Sequence, residues 1–253
     1  MMKIKQTVLS FALLSALTSM LALSHTCDES SFTQALQSEQ RAQADRDRDQ
    51  GRQPEKVMQF FGIEPGMTVL EVLASGGYYT EILSLRVGDN GKVIAQNNQF
   101  ILAVLDGRFA KEFEHRTAKQ RLPNVNHYKK EFGEFDLDNE VDVVTVVLNY
   151  HDLYSSASKD KRMEILSQLK KSLKPGGILG LIDMESTTDE HNPKLHRVNQ
   201  NYVKKEFAEA GFELDGEAAF LRNPNDDYSK MVFDPAVRGK TDRFVLRFKK
   251  PAF

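Results

Sequence analysis

The stretch from Gly66 to Thr80 constrains this chain more than any other. Pro65-Gly66 makes a turn, and Thr68 to Leu73 is an apolar run that carries an acid, Glu71. Small residues follow, Ala74-Ser75-Gly76-Gly77, and a helical pattern begins at Tyr78. A strand, a tight loop and a helix in that order open a nucleotide-binding α/β unit. The glycines let backbone N–H groups and the helix N-terminus come close to a ligand. The acid at the strand end offers a polar anchor.

The rest of the chain continues the alternation. Pro54 predicts a helix through Phe61, ended by Gly62, that leads into the first strand. Tyr78 to Arg86 reads as a helix, Lys92 to Gln96 as a strand, Phe100 to about Arg116 as a helix and Val125 to Tyr128 as a short strand. Val141 to Leu148 is a nearly continuous, Val-rich run, as in a strand buried on both faces. Lys159 to Leu173 is amphipathic at helical spacing and stops at Lys174-Pro175-Gly176-Gly177. Ile178 to Ile182 reads as a fifth strand, and Arg197 to Ala210 as a helix ended by Gly211. Phe212 to Phe220 and Arg243 to Phe248 are two strand patterns with no helix between them. The pattern predicts an α/β fold: a mostly parallel sheet with helices on both faces and an antiparallel C-terminal hairpin.

A length of 253 residues with 40% hydrophobic content supports one large domain of this kind. The formal charge of -2, with acids and bases interspersed, gives no electrostatic case for nucleic acid, and no such partner is expected. The single cysteine, Cys27, excludes an internal disulfide and a cysteine-based zinc site.

The N-terminus carries Lys3 and Lys5 ahead of an apolar run from Val8 to Leu23, with Ala22-Leu23-Ser24 at the positions a signal peptidase reads. This is a secretory signal over residues 1–24, and the expectation is export to the periplasm with no stable membrane insertion of the mature chain. Two alternatives stay open: an uncleaved anchor, and a lipoprotein at Cys27, whose preceding Ser24-His25-Thr26 fits a lipobox poorly. Residues 25–50 form a polar lead-in, in which Asp45 to Asp49 alternates in sign. It reads as a solvated helix or a flexible segment; in a sharper reading Arg46, Arg48 and Arg52 contribute to a lid. Residues 51–253 form the main domain.

Glu71 and Gly77 stand where the class I S-adenosylmethionine-dependent methyltransferases place the acid and last glycine of motif I, with Leu73 and Ser75 at the positions of the first two glycines. Leu173 to Gly177 is similar to the turn that precedes the fifth strand in that family. The resemblance runs from about Gly51 to Pro251 and implies a Rossmann-like class I methyltransferase sheet, S-adenosylmethionine as cofactor and a small-molecule or exported substrate. It also implies an exported branch of predicted methyltransferases.

Ligands of doubly wound sheets lie beyond the C-terminal ends of the strands. That places Glu71, Ala74, Ser75 and Gly77, then Gln96, Asn97 and Asn98, then Glu131, then Asn149 on the cofactor side. The resemblance puts an acid for the ribose hydroxyls where Gln96-Asn97-Asn98 stands; these residues also suit a turn and a helix cap. His151 and Asp152 follow the most apolar strand and are the catalytic candidates, His151 as general base with Asp152 orienting it. Asp152, Asp183 and Glu185 could gather a hard cation, but their spacing is not diagnostic and no metal is assigned. His191 and His196 lie five apart, beyond the one-turn spacing of a helical zinc pair, and read as loop and helix-start residues beside Arg197 that could place a cation near an anionic substrate. The long connection from Asn223 to Asp242 could cover the substrate side, with Arg222, Arg238 and Lys240 facing it. The function expected is methyl transfer. The alternative is a non-catalytic small-ligand-binding module on the same scaffold, motivated by Leu73 and the missing ribose acid. A dehydrogenase is disfavoured, since the loop lacks the three-glycine dinucleotide pattern.

Overall fold

Val141–Val147 is the buried centre of the fold, as its nearly continuous Val-rich pattern demands. A computed structural model describes residues 29–188 and 193–252. The expected signal segment, Cys27 and His191 lie outside them. The chain divides into two compact units, Met1–Arg46 and Asp47–Phe253. In the first, residues 29–37 form helix α1, Arg41 donates to the Leu36 carbonyl, and Arg46 donates to the carbonyls of Ser38 and Arg41. Helix α2 spans Gln43–Arg52.

The second unit is built on a seven-stranded sheet in the order β3-β2-β1-β4-β5-β7-β6. The strands are β1 (Thr68–Val72), β2 (Lys92–Gln96), β3 (Val125–Tyr128), β4 (Val141–Val147), β5 (Leu173–Met184), β6 (Glu213–Ala218) and β7 (Arg243–Lys249). The first five pair in parallel, and β7 runs antiparallel to both β5 and β6. The expected parallel sheet with its antiparallel hairpin is therefore present. β1 and β4 lie side by side at the switch point, where chain order reverses across the sheet.

Helices α3 (Pro54–Phe61), α4 (Tyr78–Val87), α5 (Gln99–Thr117), α6 (Tyr150–Ser156), α7 (Lys159–Ser172) and α8 (Gln200–Glu209) complete the unit. Leu70 and Val72 of β1 point to the face that also buries Leu166 and Leu169 of α7 and Phe207 of α8. Glu71 points the other way, with its registered neighbour Thr145, toward α3 and α4. On that face Gly180 allows the sheet to meet Phe61: a Cβ there would stand 2.4 Å from the ring.

The structure departs from the sequence expectation in a few places. Residues 150–156 form helix α6, where the sequence shows only a site loop; one apolar face, Tyr150 and Leu153, is buried. Strand β5 starts at Leu173, because the Lys174–Gly177 turn keeps pairing with the C-terminal segment: Gly176 donates to Lys250, and Lys250 to Gly177. Helix α8 starts at Gln200 rather than Arg197. Val198 is held extended against Glu185, and the Asn199 side chain caps the helix. Helix α5 is interrupted at Val104, Leu105, Asp106 and Gly107, which take non-helical angles.

Candidate functional site

The loop after β1 keeps the left-handed backbone of a glycine loop without its glycines. Leu73 and Ser75 have φ of 50° and 53°, and Gly77 has φ of 83°. Such angles cost a residue with a Cβ about 1–2 kcal/mol, so the surroundings must enforce them. They do so by hydrogen bonding. The Gln96 side-chain oxygen accepts from Leu73 N–H at 2.9 Å, and its backbone oxygen accepts from Ala74 N–H at 2.8 Å. Asn97 Oδ1 accepts from Ser75 N–H at 2.8 Å, and its amide donates back to the Ser75 carbonyl. Gly77 N–H goes to Ala74. The Leu73 side chain enters the main apolar cluster beside Val72 and Tyr150.

Gln96 and Asn97 are thus fully buried clamps. Gln96 also donates to the Lys130 carbonyl. Asn97 also faces His127, which stacks on Phe113; burial, then Lys129, pushes the His127 imidazole down to about 4. Asn98 caps α5 by accepting from Ile101 N–H. Glu131, delivered from the end of β3, accepts from Gln99 N–H at 2.7 Å, so a carboxylate does stand beside the end of β2. Glu71 is buried under α4 and accepts from Thr80 Oγ1. Burial raises its carboxyl to about 8, against the lowering effects of Thr80 and Arg116.

Beyond β4 the character changes. Leu148 takes φ of 59° and turns the chain into α6. Asn149 ties the two central strands by donating to the Val72 carbonyl at 2.9 Å, and its Oδ1 is buried without a partner. His151 is buried, and Asp183 grips it twice: one oxygen accepts from its backbone N–H at 2.8 Å, and the other lies 2.7 Å from Nδ1. Asp183, not Asp152, is the residue that orients the ring. Asp152 is half-exposed and lies 3.3 Å from Nε2 without the alignment of a hydrogen bond, which leaves Nε2 unpartnered. Burial works against charge on His151, but Asp183 and Asp152 outweigh it and push the imidazole up to about 10. Burial works against charge on Asp152 too, yet His151 and His196 hold it below the usual carboxylate range.

His196 completes the cluster, with Nδ1 3.0 Å from Asp152. It stands in the segment before α8, next to Arg197, which is buried in a bidentate pair with Asp226 at 2.9 and 3.1 Å. Glu185 is engaged by Arg222 and by the N–H of Gln200, and Asp183 is spent on His151 and Met184, so the oxygen-only set of Asp152, Asp183 and Glu185 does not assemble. Arg222, Tyr228 and Asp242 line a cavity of about 340 Å³ with Glu185 and Asn199, while Arg238 and Lys240 are exposed. Arg48 and Arg52 lie over the Tyr78 ring at 4.6 and 4.4 Å, at the head of α4.

No family model matches the sequence, and no curated protein is significantly similar to it. Among solved structures, a SAM-dependent methyltransferase from Aquifex aeolicus covers 78% of this chain and 88% of its own, with a TM-score of 0.58 and 27% identity. The fold is that of the SAM-dependent methyltransferases. A candidate sarcosine dimethylglycine methyltransferase from Galdieria sulphuraria has the same methyltransferase fold at 16% identity, with a TM-score of 0.56 and coverage of 79% of this chain and 86% of its own. So does the [4+2]-cyclase SpnF, at 15% identity and a TM-score of 0.54, covering 80% and 81%. The methyltransferase fold therefore hosts more than one chemistry. No helix among the described residues is long and apolar enough to cross a membrane.

Proposed function

We propose that this protein is an S-adenosylmethionine-dependent methyltransferase acting on a small molecule. The observation that carries the proposal is the buried, unpartnered Oδ1 of Asn149 at the seam of β1 and β4. A buried acceptor without a donor is costly, and the ammonium of an aminoacyl ligand supplies one. The similarity to the Aquifex aeolicus enzyme supports the cofactor. Asn149 and the ends of β1 and β4 would hold its amino-acid part, and Glu131 would take the ribose in place of an acid on β2. When bound, the cofactor supplies an electrophilic methyl group on a sulfonium. Alignment rather than a strong base is the main requirement. Asp152, 3.3 Å from His151 Nε2 and 3.0 Å from His196 Nδ1, keeps a half-exposed carboxylate that can accept the proton of an acceptor hydroxyl or amine. The N-terminal pattern of Lys3, Lys5 and Val8 to Leu23 supports export to the periplasm, so the acceptor is small and exported or met outside the cytoplasm.

A second reading, a small-ligand-binding module without catalysis, is favoured by Leu73 in the core and by loop N–H groups already donated within the protein. Calorimetric titration of the full chain with S-adenosylmethionine and its demethylated product separates the two. One bound equivalent, weakened by Asn149→Leu and by Glu131→Gln, is the expected result. No uptake at millimolar cofactor, with the fold intact by circular dichroism, overturns the enzyme reading.

A further inference from the structure

We propose that His151, Asp152 and His196 form a binding site for a divalent transition-metal ion. One donor atom from each of these side chains lies within 4.8 Å of the other two. Asp152 Oδ1 is 3.3 Å from His151 Nε2 and 3.0 Å from His196 Nδ1. Donors bound to one ion at about 2.1 Å stand about 3.0–3.4 Å apart, so these two edges already have the required length. The third edge, between the two imidazoles, is no longer than 4.8 Å, and the His196 ring that would close it is about one-third exposed.

Two further observations point to an ion. His151 Nε2 is a buried ring nitrogen with no hydrogen-bond partner, and it faces the carboxylate. Its other nitrogen is held by Asp183 at 2.7 Å, and a carboxylate behind a ligating imidazole fixes the ring and strengthens it as a donor. The backbone is also strained on both sides of the cluster. Leu148 and His196 have φ of 59° and 54°, in the left-handed region that side chains rarely adopt. His196 is held there by the buried Arg197–Asp226 pair and by the pairing of Val198 with Glu185. A rigid frame that places an imidazole at a cost in strain is what a preformed ligand site needs.

Two imidazoles and one carboxylate favour Fe²⁺, Co²⁺, Ni²⁺ or Zn²⁺ over Mg²⁺ and Ca²⁺, which take oxygen ligands. Three protein ligands leave coordination positions open. Beside them Phe233 packs on His196, with ring centres 4.9 Å apart, and remains half-exposed. Those positions suit water or an oxygen donor of a small ligand with an apolar part. Asp152 takes part in both readings, but metal binding requires no methyl donor, so the two are tested separately.

The test uses the untagged full chain, stripped with a chelator and titrated with Co²⁺, with visible absorption as the readout. Zn²⁺ and Mg²⁺ are added as competitors. The expected result is a single Co²⁺ equivalent with the intense bands of a low-coordinate ion, displaced by Zn²⁺ and not by Mg²⁺. His196→Ala and Asp152→Asn remove ligands near the surface, and each is expected to weaken Co²⁺ binding at least about tenfold. Asp183→Asn, a change to a positioning residue, is expected to weaken it by about 10–100-fold and shift the spectrum. No stoichiometric Co²⁺ binding, equal displacement by Mg²⁺, or unchanged affinity in both ligand variants would overturn the proposal.

Discussion

The two halves of the sheet's C-terminal edge are built on opposite plans. At the ends of β1 and β2, polar groups satisfy one another: Gln96 and Asn97 bind the 73–75 backbone, and Asn98 caps a helix. At the end of β4 they do not. Among the described residues, each buried side-chain oxygen or imidazole nitrogen that lacks a partner lies on β4 or just after it, at Thr145, Asn149 and His151. Unmet hydrogen-bonding capacity is expensive to bury. The first half is therefore a frame, and the second is where a ligand gains most by binding.

Three substitutions can break or sharpen that contrast. Asp183→Ala has the largest expected effect, because it leaves His151 buried without the carboxylate that holds both its backbone and its ring. A loss of about 3–5 kcal/mol in urea unfolding is expected. An undiminished midpoint would mean that the Asp183–His151 contacts do not hold this half together. Asn97→Ala comes next. It leaves Ser75 N–H without its acceptor and should cost about 1–3 kcal/mol. Its effect on ligand affinity should then be indirect, through the loop; a variant with full stability and no ligand binding would make Asn97 a contact residue instead.

The third test concerns pH. Glu71 has a folded pKa of about 8 against an ordinary 4.5, so the folded state binds more protons between those values. Its contribution is complete below about 4.5 and is lost as pH rises through 8. Unfolding free energies across that window should fall with pH in the native protein and fall less in Glu71→Gln. Parallel profiles would show that the buried carboxyl does not carry this dependence.

The order of strands and helices was legible because burial imposes it locally. The Val141 to Val147 run, the Pro54 start and the Gly62 stop each act within a few residues. The clustering of the candidate residues at one edge follows for the same reason, since parallel strands put their loops at one end. Roles within it could not be read. Gln96 and Asn97 look equally suited to a ribose and to a loop; only the position of residues 73–75, brought close by β1–β2 pairing, assigns their hydrogen bonds. His196 carried no spacing signal toward His151, because they are joined through Asp152 across two separate segments. Sequence fixes the periodicity that pairs strands and covers them with helices. Which polar atoms end up satisfied, and which are left to meet a ligand, depends on distances between residues far apart in the chain, and those exist only once the sheet has closed.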